Sequence, residues 1–317
     1  MRAFAVDEFG GPGSVHELPV PEPEDGYVRV RVAAAGINPA DIGVLNGYYK
    51  DQMEHRFPLI PGLDFAGTID AVGAGVEQWK VGDEVFGGVG KMFWGNGSLA
   101  EYTTASSSSI ARRPEAVDAE FGAALTLPGV SALLCLDPMA IKQDDVVVVI
   151  GAAGGIGGFS VQLASAAGAH VIAVTRGVNA SYVGDFGAAG TVNYEKEDVF
   201  ETVRKAYPEG IAGLVHTAGD NDSLARLAEL VRTGGHVASM LGGADVEGLA
   251  KRGITGVNIM AMTTGPALEQ LAGLFTAGTI KRPEIRTFQL DRAGDAYREI
   301  EAGHVRGKLV VIPGGTE

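Results

Sequence analysis

The sequence predicts an α/β protein in which a doubly wound parallel sheet is inserted into a smaller β-rich domain. Residues 1–115 have the pattern of short strands separated by turns, whereas strand-like and helix-like segments alternate after about residue 116. The run Lys308–Ile312 is strand-like again. We therefore predict a β-rich substrate domain of residues 1–115 plus 288–317, and an α/β domain of residues 116–287.

The β-rich part shows the two-residue period of half-buried strands. Residues 27–32 alternate polar and apolar side chains, residues 65–72 form a second strand-like run, and residues 80–87 lead from a turn into a third. Strands this closely spaced predict a small barrel.

The inserted part begins with segment 119–137, which has a helical pattern that we expect Pro128-Gly129 to interrupt. Residues 146–150 are a continuous β-branched run, typical of a parallel strand buried on both faces. Further strands are predicted at 171–174, 214–216 and 236–240, with a helix over 223–232 that ends at Gly234-Gly235.

Composition narrows the class of protein. The 317 residues are 46% hydrophobic and carry a net charge of −14, which disfavours binding to a nucleic-acid backbone. Cys135 is the only cysteine, so an intrachain disulfide is impossible and a reducing compartment is expected. The apolar stretch 123–136 is too short to span a bilayer. We expect a soluble, cytoplasmic protein that binds neither nucleic acid nor a membrane.

A glycine-rich turn directly follows the apolar strand 146–150. Strand, glycine turn and helix together are the context in which a backbone can approach a pyrophosphate and present free N–H groups to it. The alternative is a turn that only packs helix on strand. The expected cofactor contacts are Gly151, Ala153, Gly154, Gly155, Ile156 and Gly157.

The second strand of the unit indicates which dinucleotide binds. Units that bind NAD usually carry an acidic residue roughly 20 positions on, but no acidic residue lies between Gly157 and Arg176. The segment ends in Thr175-Arg176, and a guanidinium suits a 2′-phosphate. The sequence therefore predicts NADPH, with a solvated loop arginine as the alternative for Arg176.

Four segments, taken in order, resemble one known family: AAAGINPAD at 33–41, IPGLDFAG at 60–67, VGDEVFG at 81–87, and the glycine turn. The chain resembles the medium-chain dehydrogenase/reductase superfamily and, within it, the quinone oxidoreductase branch. The resemblance implies a GroES-like β-barrel catalytic domain with an inserted Rossmann domain and an active site between them. It also implies a homodimer joined through Rossmann edge strands, with residues 257–262 as the candidate edge.

The resemblance also implies the absence of a catalytic zinc. The alcohol-dehydrogenase branch places a Cys where this chain has Asn38, a His-Glu pair where it has Leu63-Asp64, and another Cys near Pro128. Asn, Leu and Pro are not zinc ligands. Without a metal to activate an alcohol, a quinone or an α,β-unsaturated carbonyl is the expected small-molecule substrate.

Two residues are the candidates for catalysis. Asn38 occupies the family's position beside the nicotinamide and is expected to donate a hydrogen bond to substrate or ribose; a plain Asn-Pro turn is the alternative. Tyr49, with Tyr48 as its rival, is expected to line the pocket. Relatives often carry a tyrosine two positions after Asp41, where this chain has Gly43.

Several further residues are expected to have structural roles or a role in closing over substrate. Asp41 is expected to fix its loop. Phe93 and Trp94 either close over substrate from a glycine-rich loop or belong to the core. No histidine pair has metal-ligand spacing, and His216 is expected to be a satisfied core residue.

The resemblance carries over the remaining cofactor contacts, most of them at the ends of predicted strands. Lys308 is expected to reach the cofactor or the cleft, with a surface lysine as the alternative. The full set is Ser131, Tyr194, Thr217, Ala218, Met240, Leu241, Gly242, Asn258, Met260 and Lys308.

The expected function is zinc-free, NADPH-dependent reduction of a quinone or an activated double bond. One alternative keeps the cofactor but reduces an enoyl intermediate in a biosynthetic pathway of the polyketide type. Another is an NADPH-binding sensor or structural protein without turnover.

Overall fold

The structure is a computed structural model that describes residues 1–314. Positions 315–317 of the predicted first domain lie outside the described residues. The strands are β1 (Arg2–Ala5), β2 (Ser14–Glu17), β3 (Tyr27–Gly36), β4 (Glu54–Ile60), β5 (Asp64–Val72), β6 (Glu84–Gly88), β7 (Phe93–Asn96), β8 (Tyr102–Ser106), β9 (Ile110–Arg112), β10 (Val146–Ile150), β11 (His170–Thr175), β12 (Gly190–Asn193), β13 (Ile211–His216), β14 (Val231–Ser239), β15 (Thr255–Asn258), β16 (Ile285–Gln289) and β17 (Lys308–Ile312). The helices are α1 (Pro39–Leu45), α2 (Ala119–Leu136), α3 (Gly155–Ala166), α4 (Ala180–Asp185), α5 (Val199–Ala206), α6 (Asn221–Ala228), α7 (Val246–Lys251), α8 (Gly265–Thr276) and α9 (Ala293–Glu301).

The chain divides into two compact units. Unit 1 contains Met1–Leu127, Met262–Gly273 and the chain from Glu284 on; unit 2 contains Pro128–Ala261 and Leu274–Pro283. We predicted one continuous insertion between two parts of the first domain, whereas unit 1 consists of three segments and unit 2 of two. The boundaries differ as well, because residues 116–127, 262–273 and 284–287 group with unit 1.

Unit 1 is built on a seven-stranded sheet. Six strands follow the order β16-β17-β3-β5-β6-β9, and β8 pairs with β3. The central strand β3 alternates between buried and partly exposed side chains over its first eight residues, which confirms the predicted two-residue period. Its inner face joins β17 and α9 in one hydrophobic core that includes Val30, Leu309 and Tyr297.

Unit 2 is a six-stranded, all-parallel sheet. Its order is β12-β11-β10-β13-β14-β15. The first strand in the chain, β10, is therefore central: β11 and β12 follow on one side of it, and β13 to β15 follow on the other side. Hydrophobic cores on both faces bury Val147 and Val148 of β10 from opposite sides. This confirms the parallel strand predicted from the β-branched run, and the crevice beside a reversal of strand order is where such sheets bind ligands.

The predicted interruption of the helix at Pro128-Gly129 is wrong. Helix α2 runs without a break through Pro128. With the short turn that follows, the segment Ala119–Met139 is long and apolar enough by composition to cross a membrane, which corrects the expectation of a shorter stretch. However, 78% of its apolar 18-residue window is buried inside the protein, as is usual for a core helix.

Three further segments depart from prediction. Helix α6 ends at Ala228, and the segment predicted to finish that helix begins β14 instead, with Gly234-Gly235 inside the strand. Of the candidate edge strand 257–262, only residues 257–258 are in a strand: they end β15, which lies at the edge of the sheet, and residues 259–262 lie outside it. The expected loop over residues 87–97 contains β7, which pairs with β4.

Candidate functional site

The glycine turn of unit 2 has the geometry predicted for a phosphate-binding turn. Gly151 follows β10 with φ of +76°, and a Cβ there would lie 2.6 Å from Thr217 Oγ1. At Gly157 a Cβ would lie 2.2 Å from the Gly151 carbonyl oxygen, so only glycine lets α3 approach the turn this closely. Gly154 differs, because a Cβ there would meet only the Gly151 oxygen, at 3.3 Å.

Helix α3 presents an uncapped N-terminus at this turn. The N-cap residue is Gly154, which has no side chain to accept hydrogen bonds from the first turn. An α-helix leaves its first N–H groups without helical partners, and the helix dipole makes this end positive. The turn therefore fits a pyrophosphate, which would be held by the backbone groups of Gly155, Ile156 and Gly157.

The second strand ends beside the residues predicted to recognise a 2′-phosphate. Thr175 is buried at the end of β11, and its hydroxyl accepts a hydrogen bond from Asn179 Nδ2 at 3.3 Å. Arg176 follows it and is half-buried. Tyr194, just after β12, is 44% exposed. The structure brings these predicted residues to the same edge of the sheet, because parallel strands end on the same side.

The ends of β13 and β14 supply the next predicted contacts. Thr217 Oγ1 donates a 2.6 Å hydrogen bond to the Ile150 carbonyl, which ties the end of β13 to β10. Ala218 follows it, whereas Met240, Leu241 and Gly242 follow β14.

His216 is only partly satisfied, which corrects the expectation for this residue. Its Nδ1 lies 3.1 Å from Ser239 Oγ, but Nε2 is buried without a hydrogen-bond partner among the described residues. Burial lowers the pKa of His216, so the neutral ring is favoured.

The remaining predicted cofactor contacts of unit 2 differ in burial and in the hydrogen bonds that their side chains already make. The Asn258 amide is bound to the backbone of Ala244, at 2.9 Å to the N–H and 3.1 Å to the carbonyl. Met260 is 82% exposed. Ser131 is buried, and its hydroxyl has no hydrogen-bond partner among residues 1–314.

In unit 1, Asn38 lies in a buried polar cluster rather than in a simple turn. Lys308 Nζ donates hydrogen bonds to Asn38 Oδ1 at 2.8 Å and to the Ile37 carbonyl at 2.6 Å. Asn38 Nδ2 donates to Asp64 Oδ2 at 2.8 Å, and the Asn38 N–H donates to Asp41 Oδ2 at 2.8 Å. We call Asn38, Asp41, Asp64, Lys308 and the adjoining Tyr297 the Lys308 cluster.

All five members of the Lys308 cluster are at most 5% exposed. Lys308 is therefore not the surface lysine that was its alternative. Both amide groups of Asn38 are bound within unit 1, so the amide lies between an ammonium and a carboxylate. Asp41 Oδ1 and the Tyr297 hydroxyl lie near each other, but neither has a hydrogen-bond partner of good geometry within the described part of the chain.

Burial governs the ionisation of the Lys308 cluster. It raises the pKa of Asp41 to about 7 and that of Asp64 to about 6, although Lys308 and hydrogen-bond donors act against it. Burial lowers the pKa of Lys308, while the two carboxylates oppose that shift. Burial and the charge of Asp41 raise the pKa of Tyr297 well above its ordinary value. The cluster can therefore hold a proton on Asp41 near neutral pH.

Tyr49 occupies the space that a side chain at position 43 would need. A Cβ on Gly43 would lie 2.9 Å from the Tyr49 ring and 3.4 Å from its hydroxyl. The half-buried Tyr49 ring also packs near Trp94, with 6.2 Å between ring centroids. Tyr48, by contrast, is 73% exposed.

Phe93 and Trp94 are not loop residues that stand free to close. Both belong to β7, and the Arg56 guanidinium lies 3.6 Å from the Phe93 ring centroid. Trp94 packs against a small core containing Val44 and Leu59.

Sequence reasoning missed part of the Lys308 cluster. Asp64 was noticed only as a departure from a zinc-ligand pattern, and Tyr297 was not noticed. One signal was available: a lysine that opens the apolar run 308–312 must either reach solvent or find acidic partners. Nothing in the sequence shows that Asp41, Asp64 and Tyr297 are those partners.

The structure brings the predicted residues together in two groups, one in each unit. Most cofactor candidates share the carboxyl edge of the unit 2 sheet, and Asn38 and Lys308 share the buried cluster of unit 1. Across residues 1–314 no group of three or more His, Cys, Asp or Glu side chains could hold a metal ion.

Comparison with known proteins extends this description. Residues 24–115 match the family described as "Alcohol dehydrogenase GroES-like domain", and residues 186–311 match "Zinc-binding dehydrogenase". The chloroplast envelope quinone oxidoreductase homolog of Arabidopsis thaliana is 30% identical, over 99% of this chain and 98% of that protein. The chain belongs to the quinone oxidoreductase group of the medium-chain dehydrogenase/reductase superfamily.

Two other proteins match nearly the whole of this chain. The chloroplastic NADPH-dependent alkenal/one oxidoreductase of Arabidopsis thaliana is 28% identical, over 99% of this chain and 80% of that protein. The Escherichia coli quinone oxidoreductase in complex with NADPH shares the fold, with a TM-score of 0.86 at 24% identity over 99% of this chain and 100% of that one. The predicted family and the GroES-like and Rossmann architecture are thus confirmed, and a chain of this group is an oxidoreductase.

Proposed function

We propose that this chain is an NADPH-dependent reductase of quinones or of the activated double bond of α,β-unsaturated carbonyls, and that it works without zinc. The observation that carries the proposal is the Lys308 ammonium, 2.8 Å from Asn38 Oδ1. Asn38 stands at a zinc-ligand position of the alcohol-dehydrogenase branch. A divalent cation bound there would lie beside the buried ammonium, and like charges at such distances repel strongly.

The reaction needs a substrate that accepts a hydride without metal activation. When bound, NADPH supplies a hydride that adds to the quinone or to the β-carbon of the enone, and the displaced electron pair moves to the carbonyl oxygen. The protein must then stabilise that oxygen with a hydrogen-bond donor, and a proton from solvent or a side chain completes the reduction.

Two side chains of unit 1 suit these roles. Asn38 is an uncharged donor with one Nδ2 hydrogen left over after its bond to Asp64, and it would stabilise the oxygen or orient the ribose. Tyr49 would provide a phenolic group where relatives often use a tyrosine at the position of Gly43. Its ring already fills the space over Gly43, which supports this exchange of position.

The choice of NADPH over NADH rests on Arg176. This half-buried arginine follows the end of β11, and no acidic residue lies between it and Gly157 to hold a ribose hydroxyl or repel a phosphate. Relatives named for NADPH use support the same choice.

The proposal is tested by mixing the purified protein with NADPH or NADH and panels of quinones, enones and primary alcohols, with zinc measured by elemental analysis. We expect oxidation of NADPH by at least one quinone or enone, at least tenfold preference for NADPH, and no activity gain on adding zinc. Arg176→Ala is expected to lose most of that preference, whereas Arg204→Ala on the surface of α5 is the matched control and should keep it.

Other results would contradict the proposal in distinct ways. Stoichiometric zinc with alcohol turnover would place the chain with the zinc-dependent enzymes. NADPH binding without turnover on any panel member would favour a sensor or structural role. Activity confined to a carrier-bound enoyl substrate would favour the biosynthetic alternative. The cytoplasmic location stays a prediction, since relatives include chloroplastic and mitochondrial proteins.

A further inference from the structure

The Asn38 amide is held at both ends by charged groups. Lys308 Nζ bonds its oxygen and the Asp64 carboxylate bonds its nitrogen, each at 2.8 Å. Turning the amide over would place NH₂ against an ammonium and a carbonyl against a carboxylate. Hydrogen bonds to charged partners are the stronger class, so a reversed amide would lose two strong bonds at once.

The backbone of Asn38 is held as well. Asp41 accepts the Asn38 N–H at 2.8 Å. Asn38 is also the N-cap of α1, followed by Pro39, whose ring restricts the preceding residue. Neither the peptide nor the amide of Asn38 is therefore free to rotate.

The Asn38 amide keeps one polar hydrogen that is not bonded within the Lys308 cluster. The second hydrogen on Asn38 Nδ2 has no protein acceptor among the described residues, whereas the first is used by Asp64. The direction of that hydrogen is set by the direction of the amide, which Lys308 and Asp64 determine together. A lysine that only neutralised buried acids would not need to bond the amide oxygen.

We propose that Lys308 is a positioning residue that fixes the Asn38 amide so that its free N–H points toward the reacting substrate. This inference rests on the proposed function, in which Asn38 is the donor. Lys308 acts through Asn38 and need not touch the substrate. A purely structural lysine, present only to balance Asp41 and Asp64, is the competing explanation.

The positioning role and the purely structural role of Lys308 predict different results for a variant that lacks the Lys308 ammonium but also has fewer buried acidic groups. Lys308→Met removes the donor and leaves two buried acids without a counter-charge, which is expected to destabilise the fold. In the double variant Lys308→Met with Asp64→Asn, the asparagine keeps an acceptor oxygen for Asn38 while the buried charges are reduced on both sides. The exposed Lys80→Met is the matched control.

We expect the double variant to recover most of the thermal stability lost by Lys308→Met while its kcat stays at least tenfold below that of the wild type. The Kd for NADPH should change by less than about threefold. Lys308→Arg, which keeps a charged donor, should restore a substantial part of kcat, and Asp64→Asn alone should lose less kcat than the double variant. Recovery of both stability and kcat in the double variant would overturn the proposal.

A second readout does not depend on turnover. The side-chain amide of Asn38, identified in ¹⁵N spectra by its loss in Asn38→Asp, is expected to give one sharp, slowly exchanging pair in the wild type and a broadened or fast-exchanging pair in the double variant. Unchanged signals would overturn the proposal. A wild type that reduces no quinone or enone but shows the ordered amide would refute the proposed function alone.

Discussion

Two carboxyl groups, Asp41 and Asp64, lie buried beside one ammonium group, that of Lys308. Burial raises the pKa of Asp41 to about 7, so the folded protein holds this proton over a range of pH in which the unfolded chain, with a carboxyl pKa of about 3.9, has released it. The native state then binds more protons than the unfolded state. The contribution of Asp41 to stability is fully present below the unfolded pKa and is lost as the pH rises through about 7.

The variant Asp41→Asn tests this directly, because asparagine keeps an acceptor for the Asn38 N–H but cannot ionise. We expect the free energy of unfolding of the wild type to fall more steeply between pH 5 and 8 than that of Asp41→Asn, as measured by urea denaturation across that range. In Asp64→Asn, the free energy of unfolding should depend less on pH in the lower part of this pH range, since the pKa of Asp64 is about 6.

Lys308 faces both carboxyls and Tyr297 faces Asp41. Both residues are common to the wild type and Asp41→Asn, so the difference between the two curves isolates Asp41. Parallel curves for the wild type and Asp41→Asn would show that Asp41 is ionised throughout, with Lys308 outweighing burial.

At the scale of elements, different glycines of the turn before α3 are expected to serve packing and cofactor binding. Gly157 is required for packing, because a Cβ there would lie 2.2 Å from a backbone oxygen. Gly154 is nearly unobstructed by protein, with a single contact at 3.3 Å, yet it occupies the N-cap position at the helix end that would receive a pyrophosphate.

We therefore expect Gly157→Ala to lower both stability, by about 1–3 kcal/mol, and NADPH affinity, because overpacking shifts the helix. Gly154→Ala should lower NADPH affinity at least tenfold with little loss of stability. Thermal unfolding and fluorescence titration with NADPH measure the two effects.

Gly184→Ala in α4 is the matched control, since nothing lies within 4 Å of the added Cβ. Full NADPH affinity in Gly154→Ala would exclude this turn as the pyrophosphate site.

At the scale of the whole molecule, β15 is an edge strand of the unit 2 sheet, and within residues 1–314 no strand pairs with its outer side. An unpaired strand edge is a template for another strand, and the exposed Met260 lies two residues beyond the end of β15. We propose that two copies pair through β15 as a homodimer. Sedimentation is expected to give about twice the 32.7 kDa chain mass, and Met260→Lys is expected to shift the protein toward monomer. A wild type that sediments as a monomer at micromolar concentration would refute this.

The architecture was largely predictable because its signals are local. The β-branched run of β10, the glycine turn and the two-residue period of β3 are short-range patterns, and each occurs in the structure as predicted. The continuity of α2 through Pro128 and the end of α6 at Ala228 were not predictable, because both depend on tertiary packing.

The sequence by itself determined the family, the parallel sheet, and the glycine turn with Arg176 just beyond the second strand, since these depend on residue type and spacing over a few positions. Only the tertiary structure decided that Lys308, 270 residues from Asn38, bonds its amide, that Asp64 holds the other end, and that Tyr49 lies over Gly43. The physical reason is that burial and long-range hydrogen bonds depend on which strands the sheet brings side by side, and β17, β3 and β5 become neighbours only when unit 1 folds.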